Sequence, residues 1–357
     1  MNRTLLKIAA MLCAFLCTIS CDKLVNEYYD TPIPQGDLGN PVTGDGDSCT
    51  DFGWSPDGSM IVYTDGLSFV KKIDLSSGSI TTLSRGNGMG SFEYFSPRIT
   101  NDAVYFGRRW MDLQTGLLKG AICKAVFPDT SARTLQQFTA PVGINLVVSG
   151  DGKMIACASD SAVLVFDTSG MALHKISTNP GYVPFCFSQD NATLYISSNY
   201  PFFSGLNSFS LIDSSATSIM SGMANEAGWD VIDDNAGLRV VVKKDNLIIL
   251  RNITRGDSSI LLKLTATNWS FNGSLLPDIT CANFSSGLNS LAVALYEAQE
   301  AYKDCNCSVD TWRVVSVSAS TGQETASYTA RKPVTRVSFS PDGRKMAFIA
   351  GGRIFVK

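Results

Sequence analysis

The sequence predicts an all-β fold, a seven-bladed β-propeller of four-stranded antiparallel blades, with six or eight blades as alternative parsings of its eroded middle repeats. Three observations carry this expectation. A short apolar run, a Ser-x-Asp-Gly turn and a second apolar run recur from end to end at spacings of roughly 40 to 55 residues. A second turn signature, Asp or Ser followed by small polar residues, comes about ten residues after several of the copies. The last copy stops one strand short at Lys357, so a strand from the N-terminal side is needed to complete the ring.

In chain order, residues 1–20 carry Arg3 and Lys7, an apolar stretch from Ile8 to about Leu16 and no acidic residue, which reads as an export signal too short to span a bilayer. The stretch ends in Thr18-Ile19-Ser20-Cys21, similar to a bacterial lipobox, although Thr18 stands where an aliphatic residue is usual. Cys21 is thus the expected lipidation site and new N-terminus, with ordinary cleavage after Ser20 as the alternative. Loss of Arg3 and Lys7 takes the net charge from −3 to −5, and a mildly acidic chain gives no electrostatic reason to expect a nucleic-acid partner. Residues 21–48 read as a tether holding the possible ring-closing strand; Thr31–Pro41 is its stiff, polar part.

Residues 49–357 form the expected propeller domain. Its clear phrases are Phe52-Gly-Trp-Ser-Pro-Asp-Gly58 before Met60–Tyr63 and Val337-Ser-Phe-Ser-Pro-Asp-Gly343 before Met346–Ile349. Weaker copies are Phe95-Ser-Pro before Ala103–Phe106, Val147–Gly152 before Met154–Cys157, and Phe185–Asp190 before Thr193–Ile196. Weaker still are Trp229–Asn235 before Leu238–Val242 and Ile279–Ser285 before Ser290–Ala294. In each, Ser and Asp can bond the turn backbone and Gly supplies positive φ; the apolar strand that follows suits a position covered on both faces. Third-to-fourth strand turns are expected at Asp74–Gly78, Asp167–Gly170, Asp213–Ser215 and Ser318–Gly322.

On these motifs the chain resembles a WD-repeat-like β-propeller of the TolB type, from about Cys49 to Lys357. It has no room for the N-terminal α/β domain of TolB and lacks the Trp-Asp ending of WD repeats. The resemblance implies a ring that binds partners or ligands; related rings also serve as lactonases, lyases or quinoprotein dehydrogenases.

Catalytic motifs are sparse. The one histidine, His174, falls on an expected outer strand, and there is no Gly-x-Ser-x-Gly elbow, His-Glu-x-x-His helix or Walker loop. No metal and no cofactor is expected. Asp45-Gly-Asp-Ser-Cys-Thr-Asp51 resembles the start of a calcium loop but lacks its later Gly and Glu, and reads instead as an acidic, solvated linker. Of the cysteines beyond Cys21, Cys157 and Cys186 read as buried, and Cys305 and Cys307 as the possible disulfide.

Enlarged connections after the second strands of blades two, four and six share a face with the blade-to-blade loops and gather aromatics and Arg there. Arg109, Trp110, Tyr200, Phe202, Phe203, Trp229 and Trp269 are the partner-binding candidates, with filling of the gaps between blades as the alternative role. The expected function is a monomeric, non-catalytic propeller lipoprotein of the bacterial cell envelope, periplasmic or on the outer surface, binding a protein, peptide or glycan. The alternative is a propeller enzyme acting on a small molecule or sugar in the axial funnel, through carboxylates such as Asp230, Asp233 and Glu93.

Overall fold

The Ser-x-Asp-Gly phrase folds as a self-contained hydrogen-bonded turn, and this local chemistry starts most blades. In the computed structural model, Ser55 Oγ donates to Asp57 Oδ1 (2.6 Å) and accepts from the Met60 N–H (2.8 Å), while Asp57 Oδ1 accepts from the Ser59 N–H (3.1 Å). The same three bonds surround Ser149 and Asp151, Ser188 and Asp190, and Ser340 and Asp342. The residue after the Asp takes positive φ: Gly58 at 68°, Gly152 at 71°, Gly343 at 71°, and in blade four Asn191 at 59°, Asn being among the non-glycine residues that tolerate this region.

The structure describes residues 38–357 except 67, 87–92, 128–130, 140–141, 160, 179–180, 199–202, 204, 222–225, 265–266, 270–272, 276–277, 286, 288 and 303–306; the side chains of 142–144, 267–269, 273–275, 278, 297–302 and 307–310 are also left aside. No helix forms among the described residues.

Seven antiparallel sheets of three or four strands follow one another, 49–85, 93–138, 142–177, 182–220, 226–263, 278–330 and 334–356, with a two-stranded ribbon, 267–269 with 273–275, between the fifth and sixth in the chain. Six have four strands in sequence order and the seventh has three. This is the seven-bladed β-propeller. The first strands are innermost: Cys49–Trp54, Glu93–Ile99, Val142–Val148, Tyr182–Phe187, Glu226–Asp234, Asp278–Ser285 and Val334–Phe339. Second strands are covered on both faces, as Ile61 through Asp65 illustrate, all buried. Apolar cores fill the gaps between blades, for example Phe52, Tyr63 and Ile73 against Ala347, Ile349 and Ile354 between the first blade and the last.

Blade two departs from the expected turn. Ser96-Pro97 lies inside the inner strand as a bulge, with Ser96 at φ 46° and the pairing register slipping between Phe95 and Arg98. The turn itself is Thr100–Asp102, in which Thr100 Oγ1 donates to Asp102 Oδ1 (2.8 Å) in place of Ser.

The position beside the last strand is occupied by residues 42–49 without a regular strand at 40–48. Val42 donates its N–H to the Ile354 carbonyl (2.8 Å), Ile354 donates to Thr43 Oγ1 (3.2 Å), Arg353 bonds Asp45 (2.9 Å), and Cys49 donates to the Gly352 carbonyl (2.6 Å). The acidic run 45–51 is accordingly no solvated linker. Asp47 takes Lys71 Nζ (2.6 Å), the Tyr63 hydroxyl (2.8 Å) and the Gly44 N–H (3.0 Å), and Lys71 also bridges to Asp65 (2.6 Å). Burial alone would raise the Asp47 pKa; the bonds from Lys71, Tyr63 and Gly44 outweigh it and hold the carboxyl below its usual range. Asp51 faces the axis, so the three carboxylates serve three different partners, and among the described residues no cluster of acids, His or Cys could hold a metal.

Candidate functional site: an axial cavity beneath a hairpin-bearing face

Strand order gives the ring two unlike faces. The Ser-Asp turns and the third-to-fourth strand turns share one; the second-to-third strand hairpins and the blade connections share the other.

On the second face, the blade-two strands Ala103–Met111 and Leu118–Val126 stay paired out to Met111 and Leu118, three residues longer than their six-residue counterparts in blade one. The tip is fixed by Asp112, which bonds Lys119 and the Gln114 N–H, and by Gly116 at φ 67° donating to the Asp112 carbonyl. Its apolar side chains face solvent: Leu113 is 78% exposed and Leu117 60%, flanked by Met111 and Leu118. In blade six, Ser290–Tyr302 pairs with Cys307–Ser318 out to Tyr302 and Cys307, a longer hairpin four blades further along the chain.

The candidates from sequence separate by burial. Trp110 is half-buried against the core between blades one and two, with the Arg108 guanidinium 4.9 Å from its ring centroid. Arg109 pairs with Glu93 and lies over the Phe95 ring. Phe203 is a correction: it is fully buried, exchanges two backbone bonds with Gly228 of the next blade (2.9 and 2.7 Å) and packs edge-on against Phe185, so it fastens blade four to blade five and offers a partner nothing. Gly228 is required there, since a Cβ would stand 2.2 Å from the Phe203 ring. Trp229 is likewise buried, packed in the core between blades five and six at the cavity wall. Trp269 pairs its backbone with Gly273; its side chain, Tyr200, Phe202, Cys21, Cys305 and the side chain of Cys307 lie outside the described residues. His174 packs edge-on to Phe209 on an outer strand.

Of the polar residues on the axis, sequence reasoning named Asp230 alone. Six inner strands each bring one charged or amide side chain there: Asp51, Arg98, Asn145, Asp230, Asn283 and Arg336. They line a cavity of about 370 Å³ in the half of the ring nearer the hairpin-bearing face. A second cavity, about 580 Å³, reaches in from the turn-bearing face and shares Arg98 and Phe185 with the first. These polar residues also join six of the seven pairs of neighbouring blades, and the Cys186 thiol joins the remaining pair. Arg336 bonds Asp51 (2.6 Å), Asp51 lies 3.9 Å from Arg98, Arg98 donates to Asn145 (3.3 Å), and Asn145 donates to the Pro184 carbonyl (2.7 Å). The Cys186 thiol reaches the Val231 carbonyl (3.8 Å), Asp230 accepts from the Phe284 N–H (2.6 Å) and Asn283 (3.3 Å), and Asn283 accepts from the Phe339 N–H (3.0 Å).

Asp230 is the electrostatically unusual member. Its accessible surface faces the cavity, and removal from bulk water pushes its pKa up to about 7, against the opposing pull of the Phe284, Val231 and Asn283 donors and of Arg336. The other two carboxylates considered from sequence are engaged elsewhere, Asp233 by the Tyr195 hydroxyl (2.8 Å) and Glu93 by Arg109.

The architecture defines the class: a seven-bladed β-propeller with a polar axial cavity. No family model and no curated protein matches the chain. Among solved structures it is similar to a chain of the mitotic checkpoint complex, at 14% identity and a TM-score of 0.61, covering 89% of this chain and 94% of that one. It is also similar to an oligogalacturonate lyase from Vibrio parahaemolyticus, at 11% identity and a TM-score of 0.50, covering 71% of this chain and 76% of the lyase. At such identities the likeness is one of fold.

Proposed function

We propose that the chain is an exported cell-envelope lipoprotein, anchored through Cys21, whose ring binds a protein, peptide or glycan on its hairpin-bearing face without catalysis. The observation that carries this reading is the blade-two tip, where Leu113 and Leu117 stand in solvent on a hairpin held rigid by strand pairing, next to the Arg108–Trp110 pair. Apolar side chains presented on a stiff element lose little entropy on docking. The solved checkpoint-complex chain, a propeller within a protein assembly, is in keeping with it. The test is capture from envelope extracts by the wild-type ring and by a Leu113→Ser, Leu117→Ser variant, both exposed positions whose change leaves the core intact. A partner held by the first and lost by the second supports the reading; equal capture removes the hairpin from the interface.

One observation favours the enzymatic alternative, the carboxyl of Asp230 held near neutrality in a cavity, a property shared by general acids and bases. Turnover of a sugar or lactone substrate abolished by Asp230→Asn would establish that reading in place of the first.

A further inference from the structure

The seam between blades three and four is open at its outer end. Phe209, on the third strand of blade four, packs into the apolar core of that seam with Ile176 and Ile196, and strand alternation puts Asn207 on the same side. Ala216 and Ser218 of the outer strand stand directly across from Phe209 and Asn207 in the register. A register slip between Leu206 and Asn207 turns the larger Leu206 and Met220 to the opposite side, into the core shared with blade five. The outer strand therefore shows blade three only small side chains, and a cavity of about 480 Å³ remains between them and Ile176, Thr178 and Tyr182.

Two properties distinguish this cavity from the axial one. None of its eleven lining residues carries a charge. The strand that walls it, Ala216–Met220, is uncharged throughout, whereas the outer strands of the five other four-stranded blades each hold at least one charged residue. Its polar groups are also unengaged. On the axis Asn145, Asp230 and Asn283 are bonded to protein groups; here, among the described residues, the Tyr182 hydroxyl, the Asn207 amide and the Ser218 hydroxyl have no protein partner. The floor is apolar, made by Ile176, Ile196 and Phe209. A charged ligand would give up hydration in this hollow with no opposite charge to meet it. A molecule that is uncharged, with C–H faces and several hydroxyls, finds an aromatic ring, an apolar floor and both donors and acceptors.

We propose that the outer cavity between blades three and four is a binding site for a neutral sugar unit, with a C–H face of the sugar laid on Tyr182 and its hydroxyls bonded by Asn207 and Ser218. Asn207 offers one acceptor oxygen and two donor hydrogens, which adjacent sugar hydroxyls can use together, and Ser218 beside it adds a group that both donates and accepts. A volume of about 480 Å³ lies within the range of small-ligand pockets and has room for a sugar unit. The site shares no residue with the blade-two hairpin or the axial cavity, so its occupancy depends neither on a partner at the hairpin nor on chemistry at the axis.

The test is a ligand-detected NMR titration of the purified full-length protein with the α- and β-methyl glycosides of glucose, galactose, mannose and N-acetylglucosamine, and with those of glucuronate and galacturonate. The expected result is saturable binding of at least one neutral glycoside with a Kd of about 10 mM or below, at least about tenfold tighter than either uronate. Ser218→Lys, at an exposed position, should abolish it by placing a long charged chain in the cavity; Asn207→Leu and Tyr182→Ala should each weaken it about tenfold. The preference for neutral over charged sugars is read on the wild type, so the inference stays testable if a variant fails to fold. No neutral glycoside saturating up to about 100 mM, or uronates bound as tightly as the neutral sugars, would overturn it. So would acetyl-Ala-Thr-Ala-amide binding as tightly as the best glycoside, which would make the cavity a peptide site, or a cooperatively melting Ser218→Lys variant that still binds the sugar.

Discussion

Replacing Asp230 by Asn should flatten the pH dependence of the ring's stability near neutrality. An aspartate in the unfolded chain titrates near ~3.9, whereas in the fold burial holds Asp230 near 7. Between those values the native state binds more protons than the unfolded state, so this group's contribution is largest in acid, falls as pH rises through the window from about 4 to about 7, and is level above it. Three pKa units correspond to at most about 4 kcal/mol, of which about 2.6 kcal/mol falls between pH 5 and pH 8. The carboxyl surface faces a water-accessible cavity, which screens the charge, so about 1 to 2.5 kcal/mol is expected. The neighbouring Cys186 thiol is itself pushed upward by burial and by Asp230, and Arg336 is a permanent cation, so neither titrates in this range. Urea unfolding of both proteins at pH 5 and pH 8 measures the effect, because every other titrating group is common to the two and cancels in the difference. At pH 5 the Asn variant should be less stable by about 1 to 2 kcal/mol, having lost one acceptor for the Phe284 or Val231 N–H; by pH 8 the gap should close or reverse. Parallel curves, with the same gap at both pH values, would refute the placement of a protonated carboxyl on the axis.

Four further outcomes follow from the same geometry. Gly228→Ala forces a Cβ into the Phe203 ring and should cost about 1 to 3 kcal/mol, with part recovered in Gly228→Ala, Phe203→Leu, a coupling readable by a double-mutant cycle. Lys71→Met strands Asp47 and Asp65 beside each other and should lower stability by about 2 to 4 kcal/mol, measured by chemical unfolding at pH 7. Because the Asp47 carboxyl is held below its usual range, its contribution is present above that range and lost as pH falls through the lowered value; the wild type should therefore lose more melting temperature than Lys71→Met on going from pH 7 to pH 3. Ser149→Ala and Ser340→Ala each leave a turn N–H and an Asp without their hydroxyl, costing about 1 kcal/mol apiece and adding in the double variant, since the turns belong to different blades.

What could be read from the sequence was what is local. The Ser-x-Asp-Gly turn needs only residues within five positions of one another, so its hydroxyl, carboxylate and positive-φ residue announce a blade wherever they stand together. Blade two was misplaced by four residues because Thr100-Asn101-Asp102 has neither the Ser nor the Gly, while Ser96-Pro97 supplied two letters of the motif from inside a bulged strand. The aromatic candidates were chosen by type, and type does not separate rim from core: Phe203 and Trp229 fill space between blades, while the blade-two hairpin tip proved to expose Leu113 and Leu117, which no motif singled out. Apart from Asp230, the axis was invisible, because its polar residues come singly from six different blades. Yet a signal existed. Asp51, Asn145 and Arg336 each stand four residues before the turn hydroxyl, at Ser55, Ser149 and Ser340, a polar letter interrupting an inner strand at one fixed place in the repeat. Aligning the copies on the hydroxyl would have collected these three.

The segment that completes the last blade also determines how the ring answers tension. A pull applied at Asn40 reaches the domain through Val42, Thr43, Asp45 and Cys49 in turn, against 352–354. The first of these is one backbone bond near the surface, and the last sits at the edge of the apolar core shared by the first and last blades, with the Lys71 bridge to Asp47 just before it. Force at that end is therefore met by resistance that grows with extension: the outer bonds peel singly, and only then does the load fall on a buried ion pair and a packed seam. The ring yields by slackening at its fringe well before it opens.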